Sequence, residues 1–243
     1  MLFSLLVSAF AQGAVDAAPA PPVVIELFTS QSCSSCPAAE AVLRDFAERE
    51  NVIALEWHVD YWDQLRHGNA GKWKDPFSSP EFTARQREYN IALRGTGGVY
   101  TPQAIVNGQV ETVGSRAQEL GKIVREKNES SVEPVIAMVK SDNIVFHLDA
   151  KIADASLLAV TFKKNHVTEV GGGENKGKTL KEANIVVSAQ PVIDQGGWLK
   201  IEAPSKGYGC ALLAQNPKTR AIVGAAYCPT TDTTDVARLQ PAN

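Results

Sequence analysis

The sequence is poor in almost everything that would mark an extreme class of protein. Its 243 residues include four cysteines and two methionines, and aromatic residues make up 7%. So few cysteines in so long a chain cannot form a disulfide scaffold, and each needs its own explanation. Basic residues are scattered and the formal net charge is -3, which argues against a nucleic-acid footprint and a polybasic membrane patch. No Lys or Arg precedes Arg44, and no internal repeat is visible. What remains is an ordinary globular composition, 44% hydrophobic and 21% charged, able to build real cores. The length suits two domains of roughly 100–125 residues.

The N-terminus is set apart. Met1 to Phe10 is apolar and ends in Ala9-Phe10-Ala11, a small-x-small pattern that a signal peptidase could cut. The run is too short to span a bilayer. Residues 1–18 are therefore expected to be a signal peptide and leader, with a buried N-terminal helix as the alternative. Periplasmic or secreted localisation is expected, with no stable membrane insertion after cleavage. The cysteines fall into two pairs, Cys33/Cys36 and Cys210/Cys228, which fits an oxidising compartment.

Val23 to Phe28 reads as a strand by its β-branched, mostly apolar run, and Pro37 to Glu50 as an amphipathic helix. Val52 to Val59 is a near-continuous apolar run, as in a strand buried on both faces. Ser79-Pro80-Glu81 opens a helix that Gly95 stops. Asn107-Gly108 joins two strands in a tight hairpin, and Ser115 is placed to cap a last helix ending near Lys127. This order predicts an α/β thioredoxin-like domain (β-α-β-α-β-β-α, mixed sheet) over residues 19–130. After it come about seven short strand-like segments separated by turn residues, which predict an all-β sandwich-like domain over residues 131–243.

Cys33-Ser34-Ser35-Cys36 sits where the first strand meets the first helix. At that spacing the two sulfurs can close a small ring. The helix N-terminus favours the thiolate of the first cysteine. Cys33 is thus the candidate attacking thiol and Cys36 the resolving thiol. Half a zinc site and an inert structural disulfide are the alternatives. Zinc would need two more ligands, yet there is no second Cys-x-x-Cys, and the four histidines show no paired ligand spacing.

Other candidates surround this pair. In a thioredoxin-like topology, Thr101-Pro102 before a strand is the place of a cis-proline facing the disulfide, and cis bonds are essentially restricted to X–Pro. His58 or Asp60, at the end of the second strand, can shuttle protons to Cys36. The alternative is that Trp57, Tyr61 and Trp62 anchor the loop while Asp60 and Asp63 cap backbone. Glu26 interrupts an apolar strand and is a candidate buried proton acceptor, or else points to solvent or pairs with a loop arginine. Arg85 and Arg87 lie on different helix faces, where one can clamp the long loop through Asp60, Asp63 or Asp75; a solvated face is the default. Cys210 and Cys228 flank a hairpin turning at Asn216-Pro217. They are expected to bond as a structural disulfide if a bulge or frayed end corrects their register, and otherwise to be buried free thiols. Gly171 to Gly177 lacks a nucleotide-binding arrangement and reads as a loop that can lean over the redox site.

The stretch Val24-Ile25-Glu26-Leu27-Phe28-Thr29-Ser30-Gln31-Ser32-Cys33-Ser34-Ser35-Cys36-Pro37 resembles the secreted thioredoxin-like family known as the domain of unknown function numbered 1223. So do His58 to Asp63, Trp73 to Phe77, Arg85-Gln86-Arg87, Tyr100 to Gln103 and Gly173 to Leu180. The resemblance covers most of the chain after the leader. It implies a thioredoxin-like domain and a redox pair, with no assigned physiological role; Cys210 and Cys228 lie outside its pattern. The expected activity is dithiol–disulfide exchange with a protein or small-molecule thiol or disulfide, without a bound cofactor. The rivals are a module that holds Cu(I) on Cys33, Cys36 and His58 and a redox-inert interaction protein. Oligomeric state is not legible.

Overall fold

The computed structural model describes residues 22–128, 132–152 and 154–229; the leader expected over residues 1–18 lies outside them. The chain begins with strand β1 (Val23–Thr29), helix α1 (Cys36–Ala47) and strand β2 (Val52–His58). Helix α2 (Pro80–Arg94), strands β3 (Gln103–Val106) and β4 (Val110–Val113), and helix α3 (Ala117–Lys127) follow. Short strands β5 (Glu133–Pro134), β6 (Ile136–Lys140) and β7 (Asn143–His147) lead to two long ones, β8 (Ser156–Glu169) and β9 (Thr179–Val192). Strands β10 (Trp198–Glu202), β11 (Tyr208–Gln215) and β12 (Ile222–Tyr227) complete the described chain.

The local signals act as their chemistry requires. Pro37 lies in the first turn of α1, where its missing N–H costs nothing. Ser79 accepts a bond from the Glu81 amide to cap α2, and Gly95 ends that helix in the left-handed region. Asn107 and Gly108 both take positive φ in the β3–β4 turn, as a type I′ hairpin needs. A side chain at Gly108 would strike the Arg220 carbonyl. The cap of α3 departs from expectation: Arg116, not Ser115, holds that position and makes no side-chain cap bond.

The expected fold class needs correction. The molecule is mostly strand, with three helices among the described residues, and it is not an α/β thioredoxin-like domain followed by a β-sandwich. A single mixed sheet of nine strands runs in the order β4-β3-β1-β2-β9-β8-β11-β12-β5, beside a small sheet β10-β7-β6. The reason lies at the second edge of β2. That strand is buried throughout, and an open edge there would invite pairing. β9 covers it in parallel at Glu56↔Ile185. Where the two strands diverge, Tyr227 Oη accepts the Ala54 N–H at 2.8 Å and Asn184 donates to the Ala54 carbonyl at 3.0 Å. β8 and β9 then carry the sheet onward through twelve antiparallel partner pairs.

The cores follow the same continuity. On one face of β1 and β2, Val24, Phe28, Trp57, Phe82 and Tyr89 share a cluster with Val160, Phe162, Val186, Leu213 and Ile222 from the later strands. On the opposite face, Val23, Ile25 and Leu27 pack under Ala39, Leu43 and Phe46 of α1 and Leu120 and Val124 of α3. A third cluster joins the small sheet to β11 through Ile144, Phe146, Leu199 and Leu212.

Cys210 and Cys228 form a disulfide at the open end of the β11–β12 ladder. A register shift between Ala214 and Gln215 makes Ala211 face Tyr227. The next pair out is then Cys210 with Cys228, whose backbones are also bonded at 2.7 Å.

Candidate active site

Cys33 and Cys36 are joined as a disulfide where β1 passes into α1. Ser34 and Ser35 are exposed, but Cys33 is 1% exposed and Cys36 0%. Ser35 Oγ lies 3.2 Å from Cys33 Sγ. Thr101–Pro102 is a cis peptide bond. Gly114 places Pro102 beside α1, since a Cβ built on it would lie 3.1 Å from Ala39 Cβ and 3.6 Å from Pro102 Cβ. Thr101 Oγ1 accepts from Trp62 Nε1 at 2.8 Å, so the aromatic loop after β2 is tied to the proline segment.

Beneath α1 the sheet carries an unusual set of buried acids. Glu40 lies one helical turn beyond Cys36 on the buried stripe of α1. It accepts from Thr29 Oγ1 at 2.7 Å. Burial, with Glu56 nearby, pushes its carboxyl up to about 8. Burial likewise pushes Glu56 up to about 7, against the pull of His58. His58 Nε2 stands 3.8 Å from both Glu56 Oε2 and Glu182 Oε1, beyond hydrogen-bond distance yet within Coulombic reach. His58 Nδ1 is bonded to Asp75 Oδ2 at 2.8 Å. Burial alone would lower the His58 pKa, but Asp75, Glu56 and Glu182 raise it well above the ordinary value. Asp75 is held low against its own burial by His58 and by the amides of Gln31 and Phe77.

Gln31 ties this cluster to the disulfide loop. Its amide nitrogen donates to Thr168 Oγ1 at 2.9 Å and Glu182 Oε1 at 2.8 Å, and its carbonyl oxygen accepts from Trp73 Nε1 at 2.9 Å. The connection between β8 and β9 closes over the top. Asn175 Nδ2 donates to the carbonyls of Gln31 (3.0 Å) and Cys33 (2.8 Å). Glu174 Oε2 accepts the Ser34 amide at 2.8 Å. The Gly171–Gly177 loop therefore rests on the backbone of the disulfide loop.

The remaining candidates lie elsewhere. Glu26 faces the other side of the sheet, where Arg85 Nε and Nη2 donate to its two oxygens at 2.6 and 2.9 Å and Tyr89 Oη donates as well. Arg85 thus clamps Glu26 and not the loop aspartates; Asp63 is held by Lys74, and Asp75 by His58. Asp60 accepts from Thr83 at the start of α2. His58 turns its ring nitrogens to Asp75, Glu56 and Glu182. Among the described residues no group of three or more His, Cys, Asp or Glu side chains is arranged to hold a metal ion.

Glu40, Glu56, Glu182 and Glu174 were missed from sequence. A signal existed for the first two. Glu40 belongs to the stripe Cys36, Ala39, Glu40, Leu43, which is buried, and Glu56 shares a strand face with His58 inside an otherwise apolar run.

Fold and site together define a mostly-β protein whose extended mixed sheet presents a strand-to-helix Cys-x-x-Cys disulfide above buried acids. Residues 24–215 match the family described as Protein of unknown function (DUF1223), and the chain belongs to that family. It is similar to the crystal structure of protein AGR_C_4864 from Agrobacterium tumefaciens, with 31% identity, 89% of this chain and 98% of that chain covered, and a TM-score of 0.71. HBP35 of Porphyromonas gingivalis shares 17% identity over 89% of this chain and 79% of its own, at a TM-score of 0.57, a likeness of fold alone. No curated protein matches the chain.

Proposed function

We propose that this protein is a thiol–disulfide oxidoreductase acting through Cys33 and Cys36. The observation that carries the reading is the placement of their disulfide at a helix N-terminus with the buried Glu40 carboxyl one turn below Cys36. Helix N-terminal amides favour a thiolate at the first cysteine. In the reducing direction the Cys33 thiolate attacks a substrate disulfide, forming a mixed disulfide and expelling one substrate thiolate, which solvent protonates. Glu40 as carboxylate takes the proton of the Cys36 thiol. The Cys36 thiolate then attacks Cys33 Sγ, closing the protein disulfide and releasing the second substrate thiolate. Oxidation of a substrate dithiol is the same sequence reversed. A carboxyl near 8 is matched to thiols of ordinary pKa about 8.5, so proton transfer between them is close to balanced.

The substrate class is a protein or small-molecule disulfide or dithiol. Two disulfides and the apolar N-terminal run support an oxidising, periplasmic or secreted setting. The test mixes reduced protein with oxidised glutathione and with insulin. The wild type is expected to regain the Cys33–Cys36 disulfide as substrate is reduced, and Cys36→Ala to trap one mixed disulfide on Cys33. Failure of both overturns the reading.

A further inference from the structure

The disulfide is nearly inaccessible, although exchange requires a third sulfur to approach Cys33 in line. The connection between β8 and β9 lies against the backbone that carries it. Gly173 is seated so closely that a Cβ there would lie 2.7 Å from Ser32 Oγ. The Glu174 amide donates to the Ser32 carbonyl at 3.2 Å. Asn175 takes the carbonyls of Gln31 and Cys33, and the Glu174 carboxylate takes the Ser34 N–H. Consecutive backbone groups of the disulfide loop are thus occupied by one strap. His67 Nδ1 stands 3.6 Å from Glu174 Oε1. The Ser34 N–H lies in the turn between Cys33 and Ser35, the N-cap of α1, so its bond sets the Glu174 carboxylate on the backbone next to Cys33.

We infer that Glu174 is a positioning residue that latches the strap shut over Cys33 and, by its charge, opposes the Cys33 thiolate. The inference rests on the exchange reaction proposed above. Reduction by a dithiol breaks the Cys33–Cys36 bond with two electrons and oxidises the dithiol to its own disulfide; of the dithiol's two protons one goes to Cys36 and one to solvent, which leaves Cys33 as thiolate and Cys36 as thiol. The new anion then competes with the Glu174 carboxylate for the Ser34 N–H, so reduction itself loosens the latch. The strap binds the oxidised loop more tightly than the reduced one.

The probe is dithiothreitol. Loss of a charge-assisted hydrogen bond is worth about tenfold or more in an equilibrium. Glu174→Ala and Asn175→Ala are each expected to be reduced about tenfold faster than wild type. In a Cys36→Ser background, Glu174→Gln keeps an acceptor for Ser34 but removes the charge; the midpoint of its Cys33 alkylation–pH profile is expected to fall. Far-ultraviolet circular dichroism confirms folding, and Glu174→Gln serves in the rate assay if the alanine variant unfolds. Reduction within twofold of wild type, or an unmoved alkylation profile, overturns the inference. If instead the Cys36→Ala trap captures no substrate, the exchange reading itself fails; a working trap with unchanged strap variants sinks only the latch.

Discussion

Two buried ionic clusters lie back to back across β1 and β2, and they are built on opposite principles. On the α2 side, Glu26 is closed off by two bonds from Arg85 and one from Tyr89, with Gln215 donating to Tyr89 at 2.7 Å. On the α1 side, Glu40, Glu56 and Glu182 share His58 with Asp75. There the two Glu56 oxygens and His58 Nε2 are buried without a hydrogen-bond partner among the described residues. A fully paired cluster fixes geometry; an under-compensated one stores protons. The side that stores them is the side on which the disulfide sits.

The comparison is broken most forcefully at Arg85. Arg85→Met leaves Glu26 buried and unpaired, and is expected to cost about 3–5 kcal/mol in urea unfolding at pH 7. A loss below about 1 kcal/mol would show that Glu26 finds other compensation. The second test is pH. The raised carboxyls give a contribution that is fully present below their ordinary value of 4.5 and lost as pH rises through about 7 for Glu56 and about 8 for Glu40. His58, also raised by Asp75, Glu56 and Glu182 against its burial, runs the same way: its contribution is present below its ordinary value and lost at higher pH. Tm is therefore expected to fall by several degrees between pH 5 and pH 8; a flat profile would mean the cluster is compensated after all.

A third variant sharpens the contrast by reversing sign. Glu40→Gln replaces a costly buried acid with a neutral isostere that still accepts from Thr29. It is expected to stabilise by on the order of 1 kcal/mol at pH 8, while slowing exchange through Cys36. Gains in both stability and rate would remove Glu40 from the mechanism. Last, Tyr89→Phe deletes one donor to Glu26 and is expected to cost about 1 kcal/mol, measurable as a shift in urea midpoint at constant m-value.

How much of this was legible follows from the range of each signal. β1, α1, α2 and the Asn107-Gly108 turn are written in local pattern, and the cysteine pair announces itself by spacing at a strand-to-helix junction. The pairing of β2 with β9 is not local. It joins Glu56 to Ile185, and nothing in the apolar run of β2 says which strand covers its edge. The lengths of β8 and β9 were underestimated for a related reason. Each is 14 residues long in place of the short segments expected, and the added arm brings Thr168 and Glu182 to Gln31. In an amphipathic helix a glutamate reads by its charge as part of the polar face, yet the position of Glu40 puts it on the buried stripe with Cys36, Ala39 and Leu43.

The β8–β9 connection contributes to the disulfide from about 140 positions away in sequence: Ser34 to Glu174 is a separation of 140 residues and Cys33 to Asn175 one of 142. Glu182 and Thr168, which hold Gln31, come from the same hairpin. The cysteine motif is consequently not a portable cassette. Recombination near residue 130 would carry away both cysteines but leave behind their roof and one of their acids. The centre can be inherited only whole, and drift in the β8–β9 hairpin is constrained by a disulfide loop about 140 residues away.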